Sequence, residues 1–370
     1  MTVPKITADA PRILILRGGA LGDFILTLPA ILALRQHWPL ATIELIGHPG
    51  MAELAVVAGL INRVRSLDAS DMAKWFVPRR VWPERERADI ASFDLILSYL
   101  SDADGVVQTN LRATGAKRVI ACSPVVASGH AADHFLRPVT ELGSGYFPWE
   151  AHYVRRRSRR VAPLPQRLSA GGGSANGGKS PCMDLDITTP IGARPLLGWP
   201  AALREQGRHW LKELGLVDNV ISLHPGSGSS RKNWPVEQFA VLADRVRRSM
   251  SAQPLFILGE ADAAAARALP RLTPAVPVLT NRTLKEVASV LAISRGYVGN
   301  DSGITHLATA LGVPTVALFG PTDAAMWGPR GANVVIIRGR APTSEALAAI
   351  EPDAVLMALE RLIADSQPHH

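Results

Sequence analysis

The chain is poor in cysteine, with Cys122 and Cys182 the two present in 370 residues. So few exclude a disulfide framework and a zinc site of ordinary cysteine spacing, and they fit a reducing, cytoplasmic setting. No run approaches the roughly 18 apolar residues of a membrane span. The opening stretch, MTVPKITADAPR, lacks the apolar core of a signal peptide, so export is not expected. Aromatic residues make up 5% of the chain. The densest basic run, Arg155-Arg156-Arg157-Ser158-Arg159-Arg160, has no aromatic interleaved beyond nearby Tyr153, and no nucleic-acid module of a usual pattern is present. Acid is outnumbered by base, 32 Asp and Glu against 40 Lys and Arg, for a net charge of +8. That balance favours anionic partners such as phosphates or an anionic membrane face. The Arg155 to Arg160 run itself reads either as a solvated helix face or as a patch for a membrane or an acidic substrate.

What is present is an ordinary globular composition, 47% hydrophobic and 19% charged, in a chain long enough for two domains. Short apolar runs alternate with helical stretches. RILILR (12–17) reads as a buried strand, followed by an amphipathic helix from Gly22-Asp23 to about His37 with Pro29 inside it. Further strands are expected at 42–46, 64–67, 94–99 and 117–122. After the Gly/Ser-rich stretch SAGGGSANGGKSP (169–181) the alternation restarts. Strands are then expected at 220–223, 255–258, 276–279, 296–299 and 315–319, with helices at 236–248, 261–269, 284–293, 304–311 and 352–363. The economical reading is α/β, two Rossmann-like domains with parallel sheets facing a central cleft. The boundaries are 1–160 for the first domain, 161–195 for a Gly/Ser/Pro-rich linker, 196–351 for the second domain, and 352–370 for a C-terminal helix and tail.

Ligands of parallel α/β sheets bind beyond the carboxyl ends of the strands, and several segments at such ends stand out. In Arg17-Gly18-Gly19-Ala20-Leu21-Gly22-Asp23, Asp23 is either the N-cap of the next helix or a general base in the cleft. Leu26, three residues on, rules out an ordinary capping box with Asp23 as cap. The same loop is an incomplete dinucleotide fingerprint, because Arg17 stands in the first glycine's place and Glu44 lies mid-strand. The loop 224–235, HPGSGSSRKNWP, is not a Walker A motif, yet its small residues free backbone N–H groups for an anion, and Arg231 and Lys232 add charge. In Asn300-Asp301-Ser302-Gly303, Asp301 or Ser302 caps a helix whose first N–H groups suit a phosphate. Asp301 would repel a diphosphate, so sugar hydroxyls or loop orientation suit it better. His306, in the first turn or so, either donates to a phosphate or is satisfied within the helix. Glu260, after a strand, is placed to accept ribose hydroxyls or simply to favour a helix start. Asp102-Ala103-Asp104 and Asp184-Leu185-Asp186 match a bare D-x-D pattern, too common to imply a metal.

Three blocks together are more specific: GGALGDFILTLPAILALRQHWP, HPGSGSSRKNWPVEQFAVLA and YVGNDSGITHLATALGVPTVALFGPTDAAMWGPRG. They resemble the glycosyltransferase family 9 proteins, which include the ADP-heptose:lipopolysaccharide heptosyltransferases. LTNRTLKEVASVLAIS resembles the segment before the last block, with Asn281 where that family usually has glycine. The resemblance implies a GT-B fold and inverting, metal-independent transfer from a nucleotide-diphosphate sugar, with heptose from ADP-heptose the favoured donor. It implies no cofactor, a lipid-linked anionic saccharide acceptor, and a cytoplasmic protein resting on the inner face of the cytoplasmic membrane. By position, Asp23 matches the catalytic base and Lys232 the lysine on the donor phosphates, with Ser227 and Gly228 in the same cradle. Glu260 matches the ribose-binding acid; Asp301, Ser302, Gly303 and His306 match the donor-binding helix start. The first loop has Gly18-Gly19-Ala20 where some members carry hydroxyls, and the second is one residue longer than in some. The competing readings are an NAD-dependent oxidoreductase and a catalytically inactive nucleotide-sugar or glycan-binding protein.

Overall fold

The computed structural model describes residues 9–68, 72–142, the backbone of 185–187, 195–331 and 333–366. The basic run at 155–160, Cys182, Asp184 and most of the 161–195 segment lie outside these. The first unit is a parallel sheet of β1 (Arg12–Leu16), β2 (Thr42–Gly47), β3 (Arg63–Ser66), β4 (Leu95–Ser98) and β5 (Val119–Ala121). Its order is β3-β2-β1-β4-β5. Helices α1 (Leu21–His37), α2 (Pro49–Val57), α3 (Glu84–Ala91), α4 (Val106–Ala113) and α5 (Ala131–Thr140) connect and flank it. β1 is central because both its faces are apolar. Ile13 and Ile15 point into one core and Leu14 and Leu16 into another on the opposite side of the sheet, the alternation a strand imposes. Burying each such side chain contributes about 1.5–3 kcal/mol.

The second sheet comprises β6 (Leu185–Ile187), β7 (Val220–His224), β8 (Gln253–Ile257), β9 (Val278–Leu279), β10 (Gly296–Asn300), β11 (Thr315–Phe319) and β12 (Val334–Arg338). Their order is β6-β12-β11-β10-β7-β8-β9. All its ladders are parallel except that of β6, which runs antiparallel on the edge strand β12. Three residues of the expected linker are thus a strand of this sheet. The helices are α6 (Ala201–Glu213), α7 (Val236–Ser249), α8 (Ala263–Leu272), α9 (Leu284–Leu291), α10 (Gly303–Ala310), α11 (Ala324–Trp327), α12 (Ser344–Ala348) and α13 (Pro352–Asp365). The last of these packs on α7 and on β10 to β12, so the C-terminal helix is part of this unit. Both sheets carry the doubly wound strand order, reversing at β1/β4 in one and at β7/β10 in the other. β12 and the helices α3, α5 and α6 were not read from the sequence, although VVIIR is a buried-strand pattern.

α1 departs from expectation. It is not amphipathic: Phe24, Ile25, Leu26, Leu28, Ile31 and Leu34 are buried around most of its circumference. A helix apolar on all sides must be covered on all sides. α1 lies between its own sheet, α5 and, across the domain interface, α10. One apolar core, containing Ile15 and Leu28 with Leu307 and Leu311, runs through this seam. The void left between α1 and α10 holds about 10 Å³, room for about one water. Polar contacts clasp the same interface. His130 Nε2 meets Gly328 O at 2.9 Å, Arg330 pairs with Asp133, and Lys285 Nζ lies 2.6 Å from Glu53. Asn281, where the resembled family usually has glycine, has φ 55°. The backbone there is left-handed, and asparagine is the non-glycine residue that adopts this most readily. No helix among the described residues is long and apolar enough to cross a membrane.

Candidate active site

The two strand-order reversals face one another through the helix starts that follow β1 and β10, and Asp23, Lys232, Asp301, Gly303 and His306 gather there. On the first unit, Ala20 is the N-cap of α1 and Asp23 occupies the third helical position. Asp23 is therefore not the N-cap. Alanine has no acceptor to offer, so only the reciprocal half of a capping box forms: Ala20 N–H donates to Asp23 Oδ2 at 3.2 Å. Gly19 makes this possible. It has φ 92°, and a Cβ there would sit 2.9 Å from Asp23 Oδ2. Behind Asp23 stands Arg17, 3% exposed, which sequence reasoning noted only for displacing a glycine. Its Nη2 donates to Asp23 O at 3.1 Å and lies 3.8 Å from Asp23 Oδ1. The guanidinium covers the Phe135 ring at 4.4 Å, and its buried Nε has no hydrogen-bond partner. Desolvation lowers the Arg17 pKa, an effect opposed chiefly by the Asp23 charge. The signal in the sequence is an arginine at the end of an otherwise apolar central strand.

On the second unit, Asn300, fully buried, ties two loops together. Its Oδ1 accepts from Trp234 N at 3.0 Å and its Nδ2 donates to Pro225 O at 2.8 Å. The 225–234 loop is thereby fixed to the end of β10. Within it Ser227 Oγ bonds Asn233 Oδ1 at 2.6 Å, while Gly228 is exposed with open space where a Cβ would be. Lys232 Nζ reaches Asp301 Oδ2 at 2.9 Å. Ser302 is the N-cap of α10, its Oγ accepting from Thr305 N. The first N–H groups of a helix have no intrahelical acceptor and favour an anion. Glu260 lies one strand further out, exposed, in the 3-10 turn after β8. Its neighbour Asp262, which sequence reasoning missed, is buried and accepts from Gly259 N at 2.7 Å. A Cβ on Gly226 would fall 1.7 Å from Asp262 Oδ1. Asp262 thus packs the β7 and β8 loop ends together through a position only glycine can fill.

The helix starts of α1 and α10 touch. A Cβ at Gly303 would lie 2.7 Å from Leu21 Cβ and 3.1 Å from Gly22 N. His306, 5% exposed, lies beside Gly22, where an added Cβ would be 3.4 Å from its Cδ2. Burial lowers its pKa to about 4, with Asp301 and Asp23 opposing the shift and Lys232 adding to it. One neutral imidazole therefore sits among a carboxylate of the first unit and an ion pair of the second. The arrangement supplies an acceptor of protons on one side and a cation with free N–H groups on the other.

Residues 199–351 match the model of a family described as Glycosyltransferase family 9 (heptosyltransferase). That match spans the unit built on the second sheet, from α6 to β12. A lipopolysaccharide heptosyltransferase 1 of Pseudomonas aeruginosa is 26% identical to this chain over 352 residues, covering 91% of it and 86% of the relative. The glycosyl transferase family 9 structure from Veillonella parvula superposes with a TM-score of 0.70 at 19% identity, covering 98% of this chain and 100% of that one. An Escherichia coli heptosyltransferase solved with ADP gives 0.62 at 17%, covering 95% and 99%. The fold of this chain is GT-B, two Rossmann-like domains about a cleft.

The oxidoreductase alternative loses its ribose acid. Glu44 is buried mid-strand and held by Arg65 at 2.7 Å and Arg12 at 3.0 Å, a structural ion network. Asp102 is likewise engaged, accepting from Val107 N and Gln108 N at 2.9 Å each, as a cap of α4. Among the described residues no group of three or more His, Cys, Asp or Glu side chains is arranged to hold a metal ion.

Proposed function

We propose that this protein is a family 9 glycosyltransferase that transfers heptose from ADP-heptose to a lipopolysaccharide-type acceptor, with inversion and without a metal ion. One observation carries the proposal: Asp23 from one domain and the Lys232–Asp301 pair with the α10 start from the other meet around His306. In the reaction an acceptor hydroxyl gives its proton to Asp23 as its oxygen bonds the anomeric carbon. The bond from that carbon to the diphosphate breaks, and the electron pair leaves with ADP. A single displacement inverts the centre. Lys232 and the helix-start N–H groups of Gly303 and its neighbour take up the charge that develops on the diphosphate. Asp301 holds the lysine in place and faces sugar hydroxyls, Ser227 and Gly228 cradle phosphate oxygens, and Glu260 accepts from the ribose. His306, kept neutral by burial, donates to a phosphate oxygen without carrying charge. The α1–α10 seam aligns the partners and excludes water that would hydrolyse the donor. ADP-heptose is favoured because the relatives are named heptosyltransferases and one similar structure holds ADP. The acceptor is lipid-borne on this reading, which brings the protein to the inner face of the cytoplasmic membrane.

Calorimetric titration with ADP, UDP, GDP and NAD tests the donor. Selective binding of ADP is expected, followed by transfer from ADP-heptose to a heptose-free lipopolysaccharide core. A preference for UDP or GDP would discard heptose as the sugar, and ADP binding without single-turnover product would leave a binding protein only.

A further inference from the structure

The segment after β3 is built in an unusual way. It starts at the carboxyl edge of the first sheet, the edge that also bears the Asp23 loop: Leu67 stands 3.2 Å from where a Gly18 Cβ would be. Beneath it, Met72, Trp75 and Trp82 are buried in the core behind β1 and β4, the two indoles edge to face at 5.2 Å. Above it, Phe76, Val77 and Val81 are 45%, 53% and 91% exposed. The segment is held rigidly. The buried Asn110 donates from Nδ2 to Trp75 O at 2.9 Å and to Val77 O at 2.8 Å. Its Oδ1 accepts from Arg80 N at 3.2 Å, and its own carbonyl accepts from Trp82 Nε1 at 3.0 Å. Arg79, at the tip, adopts φ 54°, a left-handed conformation uncommon outside glycine and asparagine. A buried amide thus fixes the backbone of a segment that carries three solvent-exposed apolar side chains.

Exposed apolar residues scattered singly need no explanation, but a clustered, rigid set does. Arg79, between Val77 and Val81 in the chain, and Arg85 are exposed, while the nearby acids Glu84 and Glu86 are taken up by Arg87 and Arg80. Apolar tips with exposed arginines beside them in the chain match the boundary of an anionic bilayer, where the former enter the acyl region and the latter meet headgroup phosphates. We infer that the Phe76–Val81 loop docks the enzyme on an anionic lipid surface and so turns the Asp23 edge of the cleft toward a lipid-borne acceptor. This rests on the proposed acceptor class, not on the donor assignment.

The test is co-sedimentation of the full chain with vesicles of phosphatidylglycerol and phosphatidylcholine in equal parts, and with phosphatidylcholine alone. Binding to the anionic vesicles is expected. Phe76→Ser/Val77→Ser/Val81→Ser should reduce partitioning by about tenfold or more, and Arg79→Glu by about fivefold or more. Val81→Asp, at a 91% exposed position, gives the same readout with no fold to disturb. Calorimetric ADP binding is measured on every variant and should not change, so that loss of docking and loss of the proposed activity are told apart. Equal partitioning of wild type and variants, or binding to native membranes but not to protein-free vesicles, would overturn the inference, the latter in favour of a protein partner.

Discussion

Replacing Lys232 separates two roles the structure gives it. Its Nζ is 2.9 Å from Asp301, with the lysine side chain 34% and the aspartate 9% exposed. A charge-assisted hydrogen bond to a diphosphate contributes about 1.5–3 kcal/mol. Partial exposure of the lysine puts the value here at the lower end, about 1.5–2 kcal/mol, or about 10–30-fold in Kd. Lys232→Ala does more than remove that contact. It leaves Asp301 as a buried carboxylate beside the diphosphate, and the repulsion should bring the total loss of ADP affinity to about 100-fold. Asp301→Asn added to Lys232→Ala removes the repulsion and should recover affinity to about 10–30-fold below wild type. Isothermal titration with ADP, with thermal melting as a control on folding, reads both numbers. An unchanged Kd in Lys232→Ala would refute the phosphate role outright. Full recovery in the double variant would show that the lysine only neutralises Asp301 and does not touch the donor.

Three further outcomes follow from the geometry. Asp23→Asn keeps the bond from Ala20 N but cannot accept a proton, so transfer should fall by about 10²–10⁴-fold while ADP affinity stays within about twofold; equal loss of both, measured by single-turnover product formation and calorimetry, would reject the base assignment. Gly303→Ala drives a methyl into Leu21 and Gly22 across the domain seam, and should cost about 1–3 kcal/mol of stability with a larger fall in kcat than in ADP affinity, read by urea unfolding and steady-state kinetics; wild-type stability would show that the seam opens freely. His130, buried in the domain clasp, has its pKa lowered from 6.5 to about 4, chiefly by desolvation. The unfolded chain then binds more protons between those pH values, so this contribution is present above about pH 6.5 and is lost as pH falls toward 4. His130→Gln should flatten the stability slope in that window by up to about 1.4 kcal/mol per pH unit, and an unaltered slope in urea titrations at several pH values would contradict the buried neutral form.

Local chemistry was enough to read much of this protein from its residues. RILIL, VISLH and TVALF are short, apolar and bounded by glycine or polar loops, so no helix competes for them. The GNDSG and GGALGD blocks declare strand-to-helix turns because glycine, serine and aspartate do there what no other residues do. That reading places Asp23, Lys232, Asp301, Ser302 and His306 at strand ends, which is where the fold holds them. Sequence also carried Asn281 as a substitute for glycine, since a left-handed φ tolerates few alternatives.

The rest belongs to the tertiary structure, because it depends on partners far apart in the chain. α1 read as amphipathic, since nothing in its own sequence says that α10, nearly 300 residues later, covers its outer side. Asp23 read as either a cap or a general base, and only its place as the third residue of α1, bonded back to Ala20, shows that it is not the N-cap. Asn300, Asp262 and Asn110 are single polar letters among many. Each matters because folding takes it out of water, and a buried amide or carboxylate must find its hydrogen bonds in whatever loops the fold brings beside it. Periodicity and turn chemistry act within a few residues and can be read in order; the closeness of two helix starts, and the glycine that permits it, exists only once the two sheets have met.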